Sequence, residues 1–141
     1  MAIKYFAYGS NLNKKQMASR TPFATSLGSF YIENWRLVFR GVADIEPHEG
    51  GLLPVGMWQI TKPDEDALDV YEGYPRLYRK EDILGMMTYR MNSDRVMPPS
   101  EMYFDTILTG YRDFGLDEEP LWKALDESWN CLLYTSPSPR D

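Results

Sequence analysis

Ile3-Lys4-Tyr5-Phe6-Ala7-Tyr8 is β-branched and aromatic and is stopped by Gly9-Ser10-Asn11, a pattern that predicts a buried strand running into a tight turn. Leu12 to Arg20, with Met17 and the helix formers Lys14, Lys15 and Gln16, predicts a short helix that Thr21-Pro22 breaks. Two strand-like runs follow, Ser29-Phe30-Tyr31-Ile32 and Trp35-Arg36-Leu37-Val38-Phe39, expected as neighbours in one sheet. Gly41 to Ala43 and Leu52 to Ile60 continue the strand-rich half. Between them, Pro47-His48-Glu49-Gly50-Gly51 is a cluster of turn formers that predicts a surface loop or hairpin connection.

The pattern then turns helical. Thr61 is a capping residue, Pro63 suits a first turn, and Asp64, Glu65 and Asp66 sit where the positive end of the helix dipole favours them. With apolar Ala67, Leu68 and Tyr71, this helix is expected to stop near Gly73. Tyr78 to Leu84 and Met86 to Met91 predict two more strands. Ser100 caps a helix striped with Tyr103, Phe104, Ile107, Leu108 and Tyr111, and Asp117 to Trp129, with Leu121, Leu125 and Trp129 four apart, predicts a closing helix. Cys131 to Asp141, with Ser136-Pro137-Ser138-Pro139, shows no periodicity. The expectation is one domain over 1–130 and a disordered or non-native tail over 131–141.

Composition narrows the function classes. A chain of 141 residues can bury about two thirds of its surface, enough for a core of its own. Hydrophobic residues make up 43% and aromatics 14%, which excludes a disordered chain, and 15 basic against 21 acidic residues, a net charge of -6, disfavours nucleic acid as a partner. Cys131 and His48 are the only residues of their kinds, which excludes an internal disulfide framework and a Cys/His metal cluster. No basic n-region precedes an apolar stretch, and no run approaches a membrane span, so a cytoplasmic protein without membrane contact is expected.

Three segments could carry chemistry. At Tyr8-Gly9-Ser10-Asn11-Leu12, Gly9 permits close backbone approach, and successive N–H groups at a helix start can cradle a carboxylate or a developing oxyanion. The same turn would equally serve if Ser10 or Asn11 only capped the helix. Glu72 lies at a helix end, where the dipole disfavours negative charge, among Tyr71, Tyr74 and Tyr78. Both factors favour a raised pKa and hence a general acid-base role, although a solvated residue before Gly73 fits the segment too. Asp69, three residues earlier, is equally placed by proximity, but on a helix it is expected to cap or to pair with Arg or Lys. Tyr103, in the first turn of a helix, could turn its hydroxyl into a cleft or into the core, and His48 between Glu46 and Glu49 is assigned to a loop without a role.

The order of these segments resembles the gamma-glutamylcyclotransferase family, in the branch carrying the Tyr-Gly-Ser-Asn loop. The likeness runs from about Lys4 to Leu125 and includes Arg36-Leu37-Val38-Phe39, Gly56-Met57-Trp58-Gln59-Ile60, Asp69-Val70-Tyr71-Glu72-Gly73-Tyr74-Pro75 and Pro99-Ser100-Glu101-Met102-Tyr103. The resemblance implies an α+β fold with a compact mixed sheet forming a small barrel-like core with flanking helices. It also implies a reaction without metal or cofactor, in which the α-amine of a γ-glutamyl group attacks its own γ-carbonyl and releases 5-oxoproline and an amine or amino acid. Glu72 corresponds to the family's catalytic glutamate; Tyr8, Gly9, Ser10, Asn11 and Leu12, with Tyr78 and Tyr103, would bind a small γ-glutamyl substrate. The protein would act as a monomer or homodimer. Two other readings stand beside this one: a noncatalytic domain holding an acidic metabolite, and an interaction module using Trp122 and Trp129.

Overall fold

The computed structural model describes residues 2–135. Strand β1 (Ile3–Ala7) enters a single 3-10 turn (Ser10–Leu12) and helix α1 (Lys14–Arg20), followed by two long strands, β2 (Thr25–Arg40) and β3 (Val42–Ile60). Helix α2 (Lys62–Glu72), a hairpin of β4 (Tyr78–Ile83) and β5 (Met86–Met91), and helices α3 (Glu101–Asp113) and α4 (Glu119–Thr135) complete the order. Among the described residues no helix is long and apolar enough to cross a membrane.

The five strands form one mixed sheet in the order β2-β3-β1-β5-β4. β1 lies in the middle, antiparallel to β3 from Ile3↔Ile60 to Ala7↔Gly56 and parallel to β5 at Tyr5↔Met87. That position explains the apolar run Tyr5-Phe6-Ala7 after the exposed Lys4, because a strand segment paired on both sides and covered on both faces has no solvent face to alternate with. Phe6, with Leu12, Phe39, Ile45 and Leu53, is fully buried in the core.

The α+β architecture matches the expectation, but the sheet is open. β2 and β4 remain edges, and β2 packs against α4 rather than closing onto β4. The two strand-like runs over 29–39 are one strand, and the expected loop at Pro47 to Gly51 lies inside β3. Pairing continues on both sides of the turn formers, which bulge out of it: the register passes from Glu33↔Leu52 to Trp35↔Pro47, and residues 48–51 are absorbed opposite Asn34. Asn34 takes a left-handed φ of 65°, and its Oδ1 accepts the Gly50 N–H at 3.0 Å.

The helix signals are realised more literally. Thr61 and Asp64 form a reciprocal capping box, and Gly73 ends α2 at φ 67°. Leu84 and Gly85, at φ 55° and 80°, turn β4 into β5. In α4 the buried stripe is Leu121, Ala124 and Ser128, rotated from the expected Leu121-Leu125-Trp129, so Trp122 and Trp129 stand 43% and 51% exposed. This helix continues past the domain boundary expected at residue 130 to Thr135, and the rest of the expected tail, 136–141, lies outside the described residues.

Candidate active site

The chain leaves β1 through Gly9, where only glycine fits. A Cβ there would sit 2.9 Å from the Ala43 Cβ and 3.3 Å from the Tyr103 hydroxyl oxygen. The turn is closed by Leu12 N–H donating to the Gly9 carbonyl and Asn13 N–H to the Ser10 carbonyl, both at 3.0 Å. Asn13, not Ser10 or Asn11, caps α1, its Oδ1 accepting the Gln16 N–H at 3.0 Å. Ser10 and Asn11 are thereby released from capping, yet they are buried, with 6% and 3% of their surface exposed. Buried polar side chains need partners, and each of the two finds one on α2. Ser10 Oγ meets Tyr71 Oη at 2.9 Å, and Asn11 Nδ2 donates to Glu72 Oε1 at 3.1 Å.

Glu72, the last residue of α2, thus reaches the turn that follows β1. The residue as a whole is half-buried, but its carboxyl end points inward, and burial pushes its pKa up to about 7 against the opposing pull of the Arg20 guanidinium and the Asn11 amide. The cause is burial rather than the helix dipole and the nearby tyrosines that the sequence suggests. A carboxyl that titrates near neutrality can take up and release a proton at low cost.

Glu72 and the turn border a narrow recess of about 20 Å³. Its remaining walls are phenolic: Tyr5, Tyr8, Tyr78, Tyr89 and Tyr103, with Ala43 between them. Burial raises the pKa of all five, so they stay neutral hydrogen-bonding groups. The Ala43 peptide holds two of them, its N–H donating to Tyr103 Oη and its carbonyl accepting from Tyr78 Oη, each at 3.0 Å. Tyr8 donates to the Tyr89 carbonyl, and Tyr89 in turn to Asp69 Oδ1 at 2.6 Å. Asp69 also pairs with Lys80 at 3.0 Å, as its position on the helix suggested.

The structure therefore brings Tyr8, Gly9, Ser10, Asn11, Glu72, Tyr78 and Tyr103 around one recess and leaves Leu12 out of it. The Leu12 side chain is fully buried beneath the turn against α3, and its amide is spent on Gly9. Tyr5, Tyr89 and Arg20 were not legible as site residues. Tyr5 and Tyr89 look like core aromatics on strands, and Arg20 is an ordinary basic residue in the last turn of a helix. Only the pairing of β1 with β5 and the packing of α1 on α2 bring them to Glu72.

An open mixed sheet, with a buried carboxyl hydrogen-bonded to the turn after its central strand, defines a small α+β protein with a narrow polar recess at that carboxyl. A family model described as gamma-glutamyl cyclotransferase, AIG2-like, matches residues 5–104, and the chain belongs to that family. The gamma-glutamylcyclotransferase of Bos taurus is 26% identical over 137 residues, covering 82% of this chain and 73% of the relative. A solved structure of a gamma-glutamyl cyclotransferase superposes with a TM-score of 0.79 at 23% identity, over 88% of this chain and 86% of that one. An uncharacterized protein from Homo sapiens superposes with a TM-score of 0.73 at 25% identity, over 87% of this chain and 86% of the other. The Bos taurus relative and the first of these structures carry the name of an enzyme.

Proposed function

We propose that the chain is a cyclotransferase that converts a γ-glutamyl amino acid or γ-glutamylamine to 5-oxoproline and the free amine, with Glu72 as general acid-base. The observation that carries this reading is the 3.1 Å hydrogen bond from Asn11 Nδ2 to a buried Glu72 carboxyl whose pKa lies near neutrality. An α-ammonium cannot attack a carbonyl. Glu72 takes a proton from it and passes that proton to water; the amine nitrogen bonds to the γ-carbon and gives a second proton to Glu72, which delivers it to the leaving nitrogen as the bond from the γ-carbon to that nitrogen breaks. Positioned proton transfer of this kind is worth roughly 10² to 10⁴ in rate.

The charge that develops on the γ-oxygen needs donors. The N–H groups of Gly9, Ser10 and Asn11 are suited to it, each worth about 3 kcal/mol at the transition state. The Leu12 amide is not among them, being bonded within the turn. Tyr8, Tyr78 and Tyr103 shape the recess so that the γ-glutamyl chain folds back on itself, which supplies the proximity contribution. The Ser10-Asn11 pair resembles the branch acting on γ-glutamyl amino acids, and cytoplasmic metabolism is the setting this chemistry fits.

The test is 5-oxoproline release from a panel of γ-glutamyl dipeptides, γ-glutamylamines and glutathione by wild type and Glu72→Gln. Turnover of at least one panel member is expected, falling by about 10² to 10⁴ in the variant while binding persists. Binding without turnover in the wild type would identify a noncatalytic binding domain instead.

A further inference from the structure

Arg20 ends α1 and takes no part in the proton transfers above, yet among the described residues it is the charged side chain acting on Glu72. Its guanidinium carbon sits 3.6 Å from the centre of the Tyr71 ring. Nη1 donates to Asn11 Oδ1 at 2.8 Å, and Nη2 donates to Gln16 Oε1. A guanidinium has donors and no acceptor, so this contact settles which way the Asn11 amide faces. The oxygen is turned to Arg20, and the NH2 group is turned to the recess. One of its hydrogens goes to Tyr5 Oη at 2.9 Å and the other to Glu72 Oε1 at 3.1 Å. In the flipped amide the NH2 would face a cation and the oxygen would face a carboxylate, two repulsive contacts in place of two attractive ones.

We infer that Arg20 is a positioning residue, which by fixing the Asn11 amide holds Glu72 Oε1 and leaves Oε2 as the oxygen that carries the proton. The assignment of Oε2 to proton transfer rests on the cyclotransferase reading; the orientation of Asn11 does not. The other ionisable groups facing the carboxyl are Tyr5 from β1, Tyr8 beyond its end, Tyr78 from β4, Tyr89 from β5 and Tyr103 from α3, and burial keeps all of them neutral. Removing Arg20 therefore removes the cationic pull on Glu72 and the anchor of the amide together, whereas Arg20→Lys removes mainly the planar fork.

The test combines a carbon-13 NMR titration of the Glu72 carboxyl with kcat and KM for wild type, Arg20→Met, Arg20→Lys, Asn11→Ala and the Arg20→Met/Asn11→Ala double variant. In Arg20→Met the carboxyl should titrate about one pH unit higher, the low end of what losing a nearby opposite charge does. In the same variant kcat should fall about tenfold with KM changed less than about twofold. Arg20→Lys should return the titration to within about 0.3 unit of wild type, because it keeps the charge. With kcat read above the carboxyl's titration in every variant, where the lost cationic pull no longer changes its ionisation, Arg20→Met in the Asn11→Ala background should cost less than about twofold, because the rest of its effect passes through the amide. An unmoved titration in Arg20→Met, or losses that simply multiply in the double variant, would overturn the inference. If Arg20→Met does not fold, Arg20→Lys takes its place in the cycle, with about a threefold loss in kcat that Asn11→Ala abolishes. A wild type inactive on every substrate would defeat the cyclotransferase reading, and the titration would still decide whether Arg20 acts on Glu72.

Discussion

The burial that makes Glu72 useful also makes it costly. Its folded pKa is raised from 4.5 to about 7, so between those values the native state holds a proton that the unfolded chain has released. Stability therefore falls as pH rises through that window and levels off above it. Glu72→Gln removes a charge that water would solvate better, and it should stabilise the protein by about 2 to 3 kcal/mol at pH 8, with the gain shrinking to nothing near pH 4.5. Thermal unfolding of both proteins across that range checks this; a variant less stable than wild type at pH 8 would contradict it. The position of Glu72 at a helix end beside tyrosines was legible in the sequence. The reason its carboxyl is neutralised was not, because desolvation depends on a recess built by strands far away along the chain.

Among the elements, α3 and the 3-10 turn are the pair that sets the amide cluster. A Cβ on Gly110 of α3 would lie 2.6 Å from the Leu12 carbonyl carbon and 2.7 Å from the Asn13 nitrogen, both backbone atoms that cannot turn aside. Gly110→Ala should cost about 3 kcal/mol, read by chemical denaturation, as expected when a packed contact is overfilled. Gly9→Ala presses on Ala43 and the Tyr103 hydroxyl instead, and by shifting the donors it should lower kcat about 100-fold with a smaller effect on stability. Leu12 belongs to this account as the anchor of the turn rather than as a substrate contact. Elements whose signals are local were legible: the Thr61 cap and the Gly73 stop both depend on residues within a few positions of one another. The merger of the strand runs into β2 and β3 was not, because it rests on cross-strand pairing on either side of residues 48–51, which bulge opposite Asn34.

At the scale of the whole molecule, the recess exists only when β1, α2, the β4–β5 hairpin and α3 are all in place, since each contributes a wall. The order of motifs carried this much in the sequence, while the open edges of the sheet and the rotation of α4 depend on what packs against what. The molecule carries a net charge of -6, and a γ-glutamyl dipeptide is itself anionic, so long-range repulsion opposes their encounter. Raising salt from about 10 to 200 mM should increase kcat/KM modestly, by less than about threefold, because exposed charges are screened over that range. A steep fall with salt would point instead to a cationic steering surface.

The most direct measurement is the pH dependence of kcat/KM for 5-oxoproline release. The account predicts a rate that rises with pH through a single ionisation near 7, the carboxyl of Glu72 becoming a competent base, and predicts that Glu72→Gln abolishes that limb along with the turnover. A Glu72→Gln variant turning over within about threefold of wild type, with the same limb, would contradict it.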